Sequence, residues 1–290
     1  MLGAIATPLS PTLALAASEV RVLTGDNSSA TQRAVEALRT RLPRLMAGSE
    51  IEALSRRTGP AVYLAIGPAA LRALVAGGLR APVVSLFTSS QAFHQIVGSA
   101  LAASSRITAI YAEASPEHQL RLLSSIFQRR VSVGVLLTAE TAHLEPLLTQ
   151  VARELDLEIQ FHQVRANTNI VRELNRLTAA DVLLAVPDTG IFSPDNFRDI
   201  LESTYRRGQP VVCYSQGMVT AGCLAAAYAS VEDIAAQAAE TVAEVDAGHV
   251  PPPRYPAYWR VAVNDSVARS LNIVIGEDVR RLGERPTGTR

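Results

Sequence analysis

The sequence lacks lysine altogether, and all 27 of its basic residues are arginine. Without lysine the chain cannot form a Schiff base with a carbonyl substrate, and it cannot supply the lysine of a phosphate-binding loop. The 27 acidic residues balance the arginines, so there is no net positive charge to attract nucleic acid or an anionic membrane. We therefore expect no nucleic-acid partner.

Sequence signatures of catalysis and cofactor binding are also missing. No Gly-x-Gly-x-x-Gly follows the first strand-like run, and no Gly-x-Ser-x-Gly occurs. The five histidines are scattered, and no two of them have the spacing of metal ligands on one helix. We expect no catalytic residue, no cofactor and no metal site.

Cysteine is scarce, since only Cys213 and Cys223 occur. In an oxidising compartment the two could form a disulfide. They are also compatible with two small apolar side chains buried in a core. The sequence leaves both interpretations open.

Residues 1–17 are apolar and uncharged, and they contain Ala14-Leu15-Ala16 near their end. Small residues at these alternate positions resemble a signal-peptidase site, although no positive charge precedes the apolar run. The stretch is short and contains two prolines, and no later segment has the length of a membrane helix. We therefore expect a secreted, periplasmic protein that is not inserted in the membrane after signal removal.

Short apolar runs alternate with helix-period segments in two successive series. The strand-like runs lie at 20–23, 61–66, 82–87 and 107–111 in the first series, and at 131–137, 157–161, 182–186 and 210–214 in the second. Strands that alternate with helices pair in parallel through crossover connections. The pattern predicts an α/β fold of two Rossmann-like lobes.

The C-terminal part departs from the regular alternation of strands and helices. A strand-like run at 223–228 precedes an Ala-rich helix at 231–245, and Pro251-Pro252-Pro253 forms a rigid connector before a last strand at 259–263. Such a tail fits a chain that crosses between the lobes several times. We assign residues 18–112 and 226–248 to an N-terminal lobe and residues 113–225 and 249–286 to a C-terminal lobe.

Three segments resemble one protein family. They run from Pro210 to Ala225 (PVVCYSQGMVTAGCLA), from Asp181 to Asp188 (DVLLAVPD) and from Val261 to Leu271 (VAVNDSVARSL). Together they resemble the ABC-transporter substrate-binding proteins of the tryptophan/tyrosine-binding type. The resemblance implies a type I periplasmic-binding fold, in which two lobes joined by a three-segment hinge close on a small ligand. It also implies delivery of an amino acid or a related small organic solute to an inner-membrane permease.

Three loops differ from the pattern of that family. Thr88-Ser89 stands where many members have Asp-Pro, Ser104 to Thr108 where many have Asn-Thr-Gly, and Gln216-Gly217 where many have an acid before the glycine. The acids lost at these loops disfavour a ligand that carries an ammonium group. An alternative therefore stays open, namely a periplasmic sensor that presents its ligand-bound state to a membrane signalling partner.

Candidate ligand-binding residues follow from the topology. In open α/β sheets the ligand lies beyond the carboxyl ends of the strands, and two facing lobes direct these ends toward each other. Helix starts there suit a carboxylate, Asp26 or Asp188 suits a positive group, and Phe87 or Tyr214 suits an apolar wall. The candidates are Asp26, Asn27, Ser28, Gly67, Phe87, Thr88 and Ser89 in the N-terminal lobe and Thr138, Asp188, Thr189, Tyr214, Ser215 and Gln216 in the C-terminal lobe.

Each candidate also has a structural interpretation. Ser, Thr, Asp and Asn before helices are ordinary N-caps, and Phe87 suits a core as well as a pocket. A doubly wound enzyme is a further alternative, and it would need a nucleophile and a base in the same crevice.

Overall fold

The computed structural model describes residues 18–48, 59–103, 106–165 and 168–286. The signal-like segment 1–17 and the pair Ser104-Ser105 lie outside the described residues. Within the described ranges, no helix combines the length and the apolar character needed to cross a membrane.

The first sheet has five strands, which all pair in parallel. They are β1 (Glu19–Thr24), β2 (Leu45–Gly48), β3 (Ala61–Ile66), β4 (Val83–Thr88) and β5 (Ile107–Tyr111), in the spatial order β2-β1-β3-β4-β5. The helices of this series are α1 (Ser29–Arg41), α2 (Gly67–Ala76) and α3 (Ser90–Ala103), the last of which has non-helical backbone at Gly98. Every residue of β3 is buried, as expected for a parallel strand covered on both faces.

The second sheet has six strands, of which only the last runs antiparallel to its neighbour. They are β6 (Ser132–Leu137), β7 (Glu158–Gln163), β8 (Val182–Leu184), β9 (Val211–Cys213), β10 (Ala225–Tyr228) and β11 (Arg260–Val263), in the order β11-β10-β9-β8-β6-β7. Its helices are α4 (Pro116–Phe127), α5 (Glu145–Glu154), α6 (Ile170–Leu174), α7 (Pro194–Arg206), α8 (Gln216–Ala221), α10 (Asp265–Ser270) and α11 (Glu277–Arg280). Two α/β lobes with parallel sheets confirm the fold class predicted from the sequence.

The chain passes between the two sheets three times. It leaves the first sheet after β5, and it returns after β10 into α9 (Val231–Asp246). This helix belongs to the first lobe, because Ile234 and Val242 share a hydrophobic core with Leu38 of α1. The chain then runs beside β5, where the N–H of Arg254 donates to the carbonyl of Ala109 at 2.9 Å, and it finally enters β11.

Two of the predicted segment boundaries need a correction. Residue 226 lies inside β10, which pairs within the second sheet as far as Tyr228. Residue 249 precedes the segment in which Arg254 still pairs with the first sheet. The second and third crossings therefore lie near Ala229 and Pro256. The sequence could not locate these two crossings. The apolar run of β10 does not show which sheet the strand joins, and the single bridge at Arg254 produces no periodic pattern in the sequence.

Cys213 and Cys223 form a disulfide, with their Cα atoms 6.1 Å apart. Cys213 ends β9 and Cys223 precedes β10, and both side chains are buried. The bond thus closes the short segment that contains Ser215 and α8. The question that the sequence left open is resolved in favour of pairing.

Replacing both cysteines by alanine is expected to lower the free energy of unfolding by roughly 2–3 kcal/mol, because the disulfide restricts the unfolded chain over a separation of 10 residues. Urea titration followed by circular dichroism measures the difference. A reductant should destabilise the natural chain by a similar amount and leave the double variant unchanged. Equal urea midpoints for the two proteins would show that the bond contributes nothing.

Candidate functional site

A polar cavity of about 840 Å³ lies between the two lobes, at the carboxyl ends of their strands. The first lobe contributes Gln91 and Gln95 from the first turns of α3. The second lobe contributes Asn196 of α7 and loop residues that follow β6, β7 and β8, among them Thr138, Glu140, Arg165, Asp188 and Thr189. Of the candidate residues, Thr138, Asp188 and Thr189 line this cavity.

Asp188 forms the floor of this cavity and is only 1% exposed. Its carboxylate accepts hydrogen bonds from the hydroxyls of Thr138 and Thr141, each at 2.6 Å. It also accepts from the N–H groups of Gly190 at 3.0 Å and Ile191 at 3.3 Å. Both carboxylate oxygens therefore already accept hydrogen bonds from the protein. This corrects the expectation that Asp188 meets a positive group of the ligand. Its geometry favours a role in fixing the loops after β6 and β8.

The lobes touch each other across the cavity through Gln91. Its side-chain oxygen accepts from the N–H of Thr189 at 3.2 Å, and its amide nitrogen donates to Glu140 at 3.1 Å. Gln95 of the same helix also donates to Glu140. These contacts join α3 of the first lobe to two loops of the second, so they exist only while the lobes are close together.

The end of β4 carries an irregularity at three candidate residues. Phe87 has a positive φ of 56°, and the pairing register with β5 shifts between Leu86 and Thr88. Thr88 is buried, while the hydroxyl of Ser89 accepts from the N–H of Ala92 at 3.2 Å. Ser89 therefore caps α3, and Phe87 packs against the core of the first lobe. The structural interpretation accounts for the observed contacts of these residues.

Asp26 and Asn27 line a groove on the first lobe that is separate from the cavity between the lobes, and Ser28 lines neither. The hydroxyl of Ser28 caps α1 by accepting from the N–H of Thr31 at 3.2 Å. Asp26 accepts from the hydroxyl of Thr31 at 2.6 Å and from the N–H of Ser28, and these hydrogen bonds lower the pKa of its carboxyl. Their hydrogen bonds therefore stay within this loop and the first turn of α1.

Gly67, Ser215 and Gln216 are positioned by local backbone requirements. Gly67 joins β3 to α2 with a φ of 81°, a conformation that favours glycine. The hydroxyl of Ser215 caps α8 by accepting from the N–H of Met218 at 3.3 Å, and Gln216 is exposed in the first turn of that helix. None of these three lines the cavity between the lobes.

Tyr214 lines a second, much smaller cavity at the hinge, together with Tyr255 and Glu113. Glu113 lies in the first crossing segment and is 4% exposed. One of its oxygens accepts the N–H of Ser90 at 2.9 Å. Burial raises the pKa of the Glu113 carboxyl, and burial together with this nearby acid raises the pKa of Tyr214 and of Tyr255 to about 12.

The sequence profile of the ABC transporter substrate binding protein family matches residues 52–285. The chain belongs to this family. No curated protein matches it closely enough to count as a relative.

Three solved structures share the fold of this substrate-binding protein at low sequence identity. One is an ABC domain from Streptococcus pneumoniae in complex with L-Trp (17% identity, 90% of this chain and 97% of that chain covered, TM-score 0.59). Another is a conserved domain protein from Vibrio cholerae (17%, 91% and 97%, 0.61). The third is a ligand-free, open substrate-binding protein with adhesive properties from Clostridium difficile (12%, 93% and 97%, 0.64). The two-lobed type I periplasmic-binding fold implied by the sequence is confirmed.

Sequence reasoning missed several residues of this substrate-binding protein that meet between the lobes. Gln91 and Glu140 are polar residues near helix starts, and the sequence does not distinguish them from ordinary surface residues. They are also 49 positions apart, so no local pattern connects them. Glu113 was overlooked because it follows β5 directly in a segment without periodicity. Among the described residues, no three His, Cys, Asp or Glu side chains cluster in the manner of a metal site.

Proposed function

We propose that this chain is the periplasmic receptor of an ABC importer, and that it captures a small organic solute between its lobes for an inner-membrane permease. The observation that carries the proposal is the polar cavity between the lobes. Its volume of about 840 Å³ falls within the usual range of small-molecule sites. Both lobes contribute hydrogen-bonding groups to it, so one ligand can bridge them.

Closure of the lobes around the ligand is the proposed mechanism. The Gln91–Thr189 hydrogen bond joins opposite lobes, and a ligand that also contacts both lobes favours the same closed state. The binding free energy of the solute then shifts the equilibrium between open and closed forms, and the permease recognises the closed form.

An amino acid or a related organic solute is the ligand class that we propose. The L-Trp complex of the Streptococcus pneumoniae neighbour supports it. In this chain the exposed Arg165 at the cavity offers a guanidinium that can pair with a carboxylate. The Cys213–Cys223 disulfide supports residence in an oxidising compartment, in keeping with the signal-like residues 1–17.

A thermal-shift screen over amino acids, organic acids and neutral sugars tests the receptor function. A ligand present at about 100 times its dissociation constant stabilises a protein by roughly 2.7 kcal/mol, which raises the Tm of a chain of this size by roughly 5–10 °C. We expect a rise of this order for at least one solute. Flat responses across the whole panel would contradict the proposal.

Gln91→Leu removes the hydrogen bonds of Gln91 to Thr189 and Glu140 across the lobes and leaves the Gln95–Glu140 bond, and we expect it to weaken binding of the solute found in the screen by about tenfold. Gln150→Leu is the matched control, because Gln150 is exposed on α5 and pairs only with Glu154 of the same helix. Uptake of the solute by a strain that lacks the protein then separates an import receptor from a sensor, since only the receptor is needed for uptake.

A further inference from the structure

Two histidines from opposite lobes face each other where the lobes meet. His94 lies on α3 of the first lobe, and His143 lies in a short 3₁₀ turn (Ala142–Leu144) that follows β6 of the second. Their ring centroids are 6.1 Å apart, with the ring planes at 73°. His94 is followed by Gln95, which donates to Glu140 of the second lobe. The pair therefore belongs to the contact that exists only while the lobes are close together.

Hydrogen bonds hold both rings in place. Nε2 of His94 lies 3.2 Å from the hydroxyl of Tyr111 on β5. Nδ1 of His143 lies 2.9 Å from the carbonyl oxygen of Glu140, and because a carbonyl only accepts, this nitrogen carries a proton and donates it. Each ring is thus anchored within its own lobe, and a ring that turns away from the other loses its hydrogen bond.

No acid is paired with either histidine among the residues that the structure describes. The only histidine in their ion pairs is His162, and the carboxylate of Glu140 accepts from Gln91 at 3.1 Å and from Gln95. The other charged or titratable groups on the elements that meet the pair are Arg72 on α2, Tyr111 on β5, Tyr255 beside Tyr111, and Glu145 and Arg165 in the second lobe. Burial, and after it the charge of His143, lower the pKa of His94. The neutral imidazole is therefore favoured while the lobes are together.

Protonation of such a pair acts on one conformation only. An ordinary histidine has a pKa of about 6.5, so it is mostly neutral at pH 7.5 and mostly charged at pH 5.5. Two like charges at the distance between these rings repel each other. Lobes that separate by more than ~8 Å, the Debye length at physiological salt, escape this repulsion. Acid therefore raises the free energy of the closed form and leaves that of the open form unchanged.

We propose that His94 and His143 form a pH-sensitive device that opens the lobes in acid. Protonation of the two imidazoles places like charges on both sides of the closed interface, which shifts the protein toward the open form and releases the solute held between the lobes. This device rests on the proposed receptor function. Because such coupling is reciprocal, closure around a solute must in turn release protons near pH 6.

Proton NMR titration of the imidazole resonances tests the pair directly. We expect His143→Gln to strengthen proton binding by His94 at least about threefold, and His94→Gln to do the same for His143, because each substitution removes a like charge. The same two variants identify the resonances. His249→Gln is the matched control, since His249 is exposed beyond the end of α9, and it should leave both titrations unchanged.

Isothermal titration at pH 7.5 and 5.5 measures the consequence for binding. The probes are L-tryptophan, L-leucine, L-lactate and D-glucose, whose net charge is nearly the same at both pH values, together with any further solute that raises the Tm in the thermal-shift screen. We expect the natural protein to bind at least one of them about fivefold or more weakly at pH 5.5. His143→Gln should abolish this pH effect, and His249→Gln should preserve it. Adding 0.5 M NaCl should shrink it, because salt screens the repulsion.

The remaining outcomes separate the device from the receptor function. If a solute binds equally tightly at both pH values, or if His143→Gln loses as much affinity in acid as the natural protein, the receptor function stands and the device is wrong. If neither substitution changes proton binding by the other histidine, in the free protein or in the presence of a bound solute, the device is again wrong. If no solute of any class binds at either pH, the receptor function is wrong and the device falls with it.

Discussion

Asp233→Ala is expected to lower the free energy of unfolding by about 3–5 kcal/mol, because it leaves a charged arginine without its buried partner. The side chain of Asp233 is fully buried in the first turn of α9, while Arg260 lies in β11 of the other lobe. The guanidinium donates from Nε at 2.6 Å and from Nη2 at 2.8 Å, which is a bidentate pair. The pair thus joins two of the chain segments that pass between the lobes.

Asp233 also belongs to a capping box at the start of α9. It accepts from the N–H of Ser230 at 3.1 Å, and its own N–H donates to the hydroxyl of Ser230 at 3.1 Å. Alanine therefore removes a helix cap in addition to the ion pair, which adds to the expected loss. Asp195→Ala is the matched control, since Asp195 is an exposed acid in the first turn of α7, and it should change stability by less than about 1 kcal/mol.

Acid should remove the contribution of Asp233 in a defined direction. Burial alone would raise the pKa of its carboxyl, but the hydrogen bonds from Arg260 and Ser230 outweigh burial and hold the pKa below its ordinary value. A lowered pKa in the folded state gives stability that is present above the unfolded pKa of about 4 and is lost as the pH falls through the folded value.

Urea titration at pH 7, 5 and 3 measures this dependence. The gap between the natural protein and Asp233→Ala should be constant from pH 7 to 5 and narrower at pH 3. A double-mutant cycle with Arg260→Ala should give a coupling free energy of at least about 1 kcal/mol. Additive effects of the two substitutions would contradict the role of the pair.

Much of the fold could be predicted because its signals are local. The apolar run 61–66 coincides with β3, and the Ser115-Pro116 pair starts α4, where the hydroxyl of Ser115 accepts from the N–H of His118. The strand β2 was missed, because Leu45–Gly48 shows neither alternation nor a continuous run of large apolar residues.

The candidate site was predictable only where topology alone determines it. Thr138, Asp188 and Thr189 follow strands whose carboxyl ends meet the other lobe, and they line the cavity. Asp26 also follows a strand, but it lines a different groove, on the first lobe alone. The alternation of strands and helices in each lobe does not determine how the two lobes are placed relative to each other, so the sequence could not show which strand ends face the other lobe. Glu113 and Gln91 depend on contacts between lobes, which no local pattern encodes.

Asp188→Ala is expected to lower the free energy of unfolding by about 2–4 kcal/mol and to weaken every ligand of the cavity. The substitution leaves the hydroxyls of Thr138 and Thr141 and the N–H groups of the following loop without their acceptor, and each buried unpaired group carries a desolvation penalty. The loops after β6 and β8 then lose the side chain that holds them together, and both loops line the cavity. Urea titration and calorimetric affinities measure the two effects.

Asp199→Ala serves as the control, because Asp199 is exposed on α7 and should leave stability and affinity nearly unchanged. Asp188→Asn separates the receptor from the enzyme alternative. One oxygen remains to accept from the loop N–H groups, so a structural Asp188 predicts a partial loss of stability and of affinity together. If Asp188 instead takes part in a reaction, Asp188→Asn should preserve binding, because asparagine has the same shape, and it should abolish turnover of the bound compound. Since its carboxylate is filled by the hydroxyls of two threonines and by backbone N–H groups, we expect the first result, with stability and affinity declining in parallel from Asp to Asn to Ala.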